Sequence, residues 1–124
     1  MKEMSWQKKE EYVRKVLSEK FGVKFKEREV PLRGTDKKYR FDLVSPDRSI
    51  VGEVKGAKYK GGNKSTALAR LSDACMFLLH AQEAKEKLLV LTEKSLYELF
   101  MSERQGQMAK ADGIKIMLVE VKSE

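Results

Sequence analysis

Two strand-like segments joined by a short polar turn constrain this chain more than any other feature. Tyr39–Val44 (YRFDLV) alternates polar and apolar residues, as a half-buried strand does, and Ile50–Val54 (IVGEV) begins a second strand. Between them, Ser45-Pro46-Asp47-Arg48 puts Pro and Asp at positions that tight turns favour. The segments read as an antiparallel hairpin. With a two-residue loop at Pro46-Asp47, Val44 lies opposite Ser49 and Asp42 opposite Val51. Asp42, Glu53 and Lys55 then project from one face, and Asp42 and Glu53 become diagonal neighbours within reach of one ion. A bulge or a longer loop would change that count.

Two carboxylates directed into a partly buried site repel each other, so they need a cation or one must stay protonated. Lys55, two residues beyond Glu53, adds a positive charge on the same face. All-oxygen ligands suit Mg²⁺ or Mn²⁺.

The rest of the chain supplies elements to enclose this hairpin. Ser5 caps a helix running to about Lys20, with Trp6, Val13, Val16, Leu17 and Phe21 at helical spacing and Gly22 as its stop. Lys24–Leu32 reads as a weak strand. A second helix, capped by Asn63 or Ser65, runs from about Thr66 to Glu83; Leu88–Thr92 reads as a buried strand. Ser95 caps a third helix, Leu96–Lys110, disturbed near Gly106, and Ile114–Val121 is a last strand. The order α-β-β-β-α-β-α-β argues for an α/β fold with a mixed central sheet flanked by helices. No repeat or linker divides the chain, so residues 1–124 read as one domain.

The net charge of +7 favours an anionic partner, with nucleic acid ahead of a membrane surface. One cysteine, Cys75, rules out an intrachain disulfide and a cysteine zinc site, and one histidine, His80, rules out chemistry needing two. The opening Met1-Lys2-Glu3-Met4 is too polar for a signal peptide, and the apolar runs are far too short to span a bilayer. A cytoplasmic protein is expected.

Phe41-Asp42, ten intervening residues and Glu53-Val54-Lys55 resemble the signature of the PD-(D/E)XK nuclease superfamily. The element order also resembles that family's restriction-endonuclease-like core, α-β-β-β-α-β, over almost the whole chain. Phe41 stands where the name-giving pattern has proline. The resemblance implies a Mg²⁺-dependent (or Mn²⁺-dependent) DNA endonuclease. Asp42, Glu53 and the carbonyl of Val54 would hold the metal, Lys55 would position the attacking water, and the product would carry a 5′-phosphate. Many such nucleases add a glutamate from the first helix. Glu10 is the candidate, roughly 50° from the centre of the apolar stripe at about 100° per residue; the alternative is a stripe-edge glutamate in solvent or paired with Arg14.

Two basic stretches flank this constellation: Arg33, Lys37, Lys38 and Arg40 before it, and Lys58, Lys60 and Lys64 after it. Arg33, Lys38, Arg40, Lys58, Lys60 and Lys64 are candidate phosphate contacts; the alternative is a solvated charged loop. Glu120-Val121-Lys122 repeats the E-V-K pattern without a partner aspartate and reads as a solvated strand end. Within the nuclease reading, structure-selective enzymes such as Holliday-junction resolvases compete with restriction-type ones, and a two-fold homodimer would let two sites cut two strands. The rival readings are a non-catalytic nucleic-acid-binding module with the same fold and a structural protein with a charged hairpin.

Overall fold

The computed structural model describes residues 4–56 and 61–121. The elements are α1 (Trp6–Phe21), β1 (Lys26–Pro31), β2 (Lys38–Val44), β3 (Ile50–Lys55), α2 (Lys64–Leu79), β4 (Glu86–Leu91), α3 (Lys94–Ser102), α4 (Arg104–Ala111) and β5 (Ile114–Leu118). They form a mixed α/β fold around a five-stranded sheet of order β1-β2-β3-β4-β5. The β1–β2 and β2–β3 pairs are antiparallel; β3–β4 and β4–β5 are parallel. Each parallel pair is joined through helices, as a parallel connection requires.

Helix α1 starts where Ser5 Oγ accepts from the amide of Lys8 at 3.3 Å and stops at Gly22, whose φ of 68° suits a residue without a Cβ. Val13 and Leu17 from its apolar stripe are buried with Leu43, Ile50, Val54, Leu88, Val90 and Met117 on one face of the sheet. The other face carries the larger core. There Leu71, Ala74 and Leu78 of α2, Leu96 and Phe100 of α3 and Ala109 of α4 pack on Phe41, Val51, Leu89 and Leu91. Each fully buried aliphatic or aromatic side chain contributes roughly 1.5–3 kcal/mol. β3 is covered on both sides, which is why charges on it are not solvent-facing by default.

Two helix boundaries differ from the sequence expectation, for physical reasons. Helix α2 begins at Lys64 with Asn63 as its cap and ends at Leu79, four residues before Glu83. Its chain exit is captured by the first hairpin: Leu32 bridges Ala81, and the amide of Gln82 donates to the carbonyl of Pro31 at 3.0 Å. The expected single third helix is two, broken at Glu103, with Glu93 rather than Ser95 at the start of α3. Gly106 sits so close to the carbonyl of Phe100 that a Cβ would collide with it, so α4 folds back on the end of α3.

The β2–β3 hairpin differs from the two-residue turn. Its register pairs Leu43 with Gly52 and Val44 with Val51, and the amide of Ser45 donates to the carbonyl of Ile50 at 3.0 Å. The loop is therefore Pro46–Ser49, two residues longer than expected. Asp47 organises it: its Oδ1 accepts from Ser45 Oγ at 2.8 Å, the amide of Ser49 at 3.0 Å and Ser49 Oγ at 2.7 Å. Those donors pull the Asp47 carboxyl down to about 2. A shift of two preserves side-chain parity, but β2 also contains a bulge. Lys26 faces Val44 and Arg28 faces Phe41, so one residue of β1, Glu27, opposes Asp42 and Leu43 together. Phe41 and Leu43 consequently point into opposite cores, although a regular strand would put them on one face.

Candidate metal site

The bulge puts Asp42 at an opening in the sheet. Pairing between β2 and β3 stops after Leu43 and Gly52. Beyond it, the amide of Val54 donates to Asp42 Oδ2 at 2.8 Å, a side chain taking the place of a ladder bond. On the other edge of β3, the carbonyl of Lys55 accepts from the amide of Thr92 at 3.1 Å. Backbone groups of successive strand residues alternate edges, so the carbonyl of Val54 faces the same opening as its amide. Asp42, Glu53 and Lys55 thus do not project from one regular face: Glu53 and Lys55 lie on the α2 side with Val51, and Asp42 reaches them through the opening.

Carboxylates gather around Asp42 from three elements. Ligand oxygens of Glu10 on α1, Glu27 on β1 and Asp42 all lie within 4.8 Å of one another. Glu10 is half-buried, and burial, then the neighbouring Asp42, pushes its carboxyl up to about 7, against the opposing pull of Arg14. Arg14 Nη1 also donates to the carbonyl of Asp42 at 3.4 Å. Glu27 is exposed and held by Arg40, whose Nε donates to it at 2.6 Å.

Glu53 is 1% exposed, and its Oε1 is a buried oxygen without a hydrogen-bond partner among the described residues. Burial first and Asp42 second push its carboxyl up to about 9; Tyr39 and Lys55 act in the opposite sense. Without a cation, Glu53 is protonated at neutral pH, the second of the two outcomes that carboxylate repulsion allows. Tyr39, which stacks on Phe77 of α2 with ring centroids 4.0 Å apart, is itself shifted upward by burial and then by Glu53.

A cavity of about 840 Å³ opens beside these groups. Glu10, Asp42, Val54 and Lys55 form one wall; Ala67, Leu71, Ala74 and Phe77 of α2 and Leu96 of α3 form much of the other. The cavity lies beyond the carboxyl end of β3 and the start of α2, the end of a parallel sheet where ligands generally bind. Gly56 lines it, and a Cβ there would collide with Thr92 Oγ1.

The basic candidates are dispersed. Arg33 lies at the far end of α2, where its Nη2 donates to the carbonyl of Leu79 at 3.3 Å and its amide to that of His80 at 2.7 Å. It caps the helix and does not line the cavity. Lys38 is exposed at the start of β2, Arg40 is engaged with Glu27, and Lys64 pairs with Glu103. Lys58 and Lys60 lie outside the described residues.

Sequence reasoning missed Glu27, Arg70 and Gly56 and assigned Trp6 no part in the site. Glu27 joins only because the bulge turns Asp42 toward β1, which no local pattern signals. Trp6 shares the helical spacing of Val13 and Leu17, yet it is 39% exposed and lines the cavity. No family model matches the chain, and no curated protein is detectably similar to it. Among the described residues, no helix is long and apolar enough to cross a membrane.

Proposed function

We propose that this chain is a Mg²⁺- or Mn²⁺-dependent DNA endonuclease of the PD-(D/E)XK type, with a restriction-endonuclease-like core. The observation that carries it is the convergence of Asp42, Lys55, the Val54 backbone and helix-borne Glu10 on one cavity wall, with Glu53 buried behind Asp42. The order α-β-β-β-α-β, with an antiparallel hairpin feeding a parallel pair, supports the fold assignment.

The residues suit a hard divalent cation. The donors are all oxygen, they approach one another closely, and Glu53 Oε1 has no hydrogen-bond partner among the described residues. Asp42, Glu10 and the carbonyl of Val54 would hold the ion, with Glu53 joining on losing its proton and Glu27 on release from Arg40. A bound divalent ion supplies charge neutralisation at the phosphate and a lowered pKa for water. Lys55, on the same wall, places a cation where the phosphate becomes more negative and can orient the attacking water. Arg14 fixes the backbone of Asp42, and the Val54 amide fixes its carboxyl; both limit the reorganisation needed on binding.

We propose a two-fold homodimer as the acting species, so that two sites address two strands. Incubation with duplex, branched and single-stranded DNA, in Mg²⁺ or in EDTA, tests the function. Mg²⁺-dependent cleavage of at least one substrate is expected; binding without cleavage would favour a non-catalytic module.

A further inference from the structure

We propose that the cavity receives one unpaired nucleotide of the DNA strand, its base lying against the indole of Trp6 and the apolar wall of α2. This rests on the nuclease reading above and specifies the substrate class: DNA with an unpaired nucleotide at or beside the bond to be cut.

Size is the first argument. A phosphate and its cation need only the corner formed by Glu10, Asp42 and Lys55. The cavity measures about 840 Å³, within the range of roughly 300–1,000 Å³ that encloses a whole small ligand. Something larger than a phosphate fits there.

The wall opposite the carboxylates is the second argument. Half-buried Ala67 and Phe77 of α2 present apolar surface to the cavity, backed by the buried Leu71 and Leu96, with Arg70 and Asp73 of the same helix beside them. Such a surface gains nothing from a phosphate or a sugar edge, whereas a base has two apolar faces. A base inside a continuous duplex stays stacked and cannot reach this wall. Extruding it costs a few kcal/mol, and least where it is already unpaired.

Trp6 is the third. Large aromatic side chains are costly to leave in water, yet Trp6 is 39% exposed at the cavity edge. Its ring packs near Gly56, directly after Lys55, so the indole adjoins the proposed phosphate position. Arg70, also on the lining and exposed, adds a guanidinium for a flanking phosphate or base face. An aromatic platform beside a cation is how sequence-tolerant single-strand sites are built.

Trp6 is the only tryptophan of the chain, so its emission reports this site alone. The test is a fluorescence titration in EDTA with dodecathymidylate and, separately, a blunt duplex of the same length. The single strand is expected to quench Trp6 and to bind about tenfold more tightly than the duplex. Trp6→Ala, at an exposed first-turn position, is expected to weaken single-strand binding about tenfold (~1.4 kcal/mol) with duplex binding within about twofold. Trp6→Phe should restore most of the loss. Equal quenching by both DNAs, no quenching, or equal weakening of both by Trp6→Ala would overturn the proposal. So would a Trp6 emission that shifts with protein concentration alone, which would mean that a second copy covers the cavity. Because the readout uses no metal, it fails separately from the nuclease reading, which fails on absence of Mg²⁺-dependent cleavage.

Discussion

Asp42 Oδ2 accepts a hydrogen bond from the amide of Val54 at 2.8 Å, across the gap where the β2–β3 ladder has ended. One carboxylate therefore does two jobs. It closes the backbone of β3 and stands between Glu10 and Glu53. The two jobs separate by mutation. Asp42→Asn keeps an oxygen acceptor for the Val54 amide but removes the charge that, after burial, raises both glutamates. It should match or exceed the wild type in stability at neutral pH, while Mg²⁺-dependent cleavage falls at least about 100-fold. Asp42→Ala leaves the amide unpaired, a cost of about 1–3 kcal/mol that relief of repulsion partly offsets. Urea denaturation and a cleavage assay on both variants distinguish the roles. Wild-type cleavage by Asp42→Asn would confine Asp42 to a structural part.

Glu53 makes the metal-free protein sensitive to alkali. Its folded-state carboxyl is raised from 4.5 to about 9, so the folded chain keeps a proton that the unfolded chain releases. This contribution to stability is full below about 4.5, shrinks as pH rises and is lost above about 9. Glu10, raised to about 7, adds in the same direction. In EDTA, the unfolding free energy is expected to fall by a few kcal/mol between pH 6 and pH 9. Glu53→Gln, a neutral isostere, should flatten most of that slope. A wild-type profile that is level or rising would show that Glu53 is ionised in the fold.

Binding a divalent cation must displace the same protons. Affinity for Mn²⁺ should therefore increase at least about tenfold from pH 6 to pH 8.5, with proton release visible by calorimetry in buffers of different ionisation enthalpy. Glu53→Gln should weaken binding and reduce the pH dependence. Affinity unaffected by pH would remove Glu10 and Glu53 from the ligand set.

Gly56 and Thr92 form a tight contact at the cavity floor. A Cβ at position 56 would collide with Thr92 Oγ1, a buried hydroxyl with no partner among the described residues. Gly56→Ala should destabilise the fold by about 1–3 kcal/mol. Thr92→Ala should recover part of this, because the Thr92 Cβ would still lie 3.1 Å from the new methyl. Denaturant midpoints of the four proteins give the coupling energy. Strict additivity would mean that the strain is relieved elsewhere.

Much of this arrangement was legible in the sequence. Helix α1, with its Ser5 cap and Gly22 stop, and the D…ExK spacing follow from local chemistry. Type and spacing mark Asp42 and Lys55, and the family resemblance together with the helical period marks Glu10; all three border the cavity. What was not legible depends on contacts that strand and helix periodicity does not encode. The turn at Pro46-Asp47 is longer because Asp47 gathers three donors from Ser45 and Ser49. The bulge at Asp42 is set by pairing with β1, and it decides which carboxylates meet. It brings in Glu27 and leaves Glu53 to be reached through the opening. The break at Glu103 reflects packing of Gly106 on Phe100, a tertiary contact that helical periodicity does not encode.

The most direct test of the central claim compares wild type and Lys55→Ala on branched, duplex and single-stranded DNA, in Mg²⁺ and in EDTA. Lys55 is only partly buried, and circular dichroism should show the variant folded. The account predicts Mg²⁺-dependent cleavage by the wild type, none in EDTA, and a loss of at least about 100-fold in Lys55→Ala. No cleavage of any substrate by a folded wild type, or undiminished cleavage by Lys55→Ala, would contradict it.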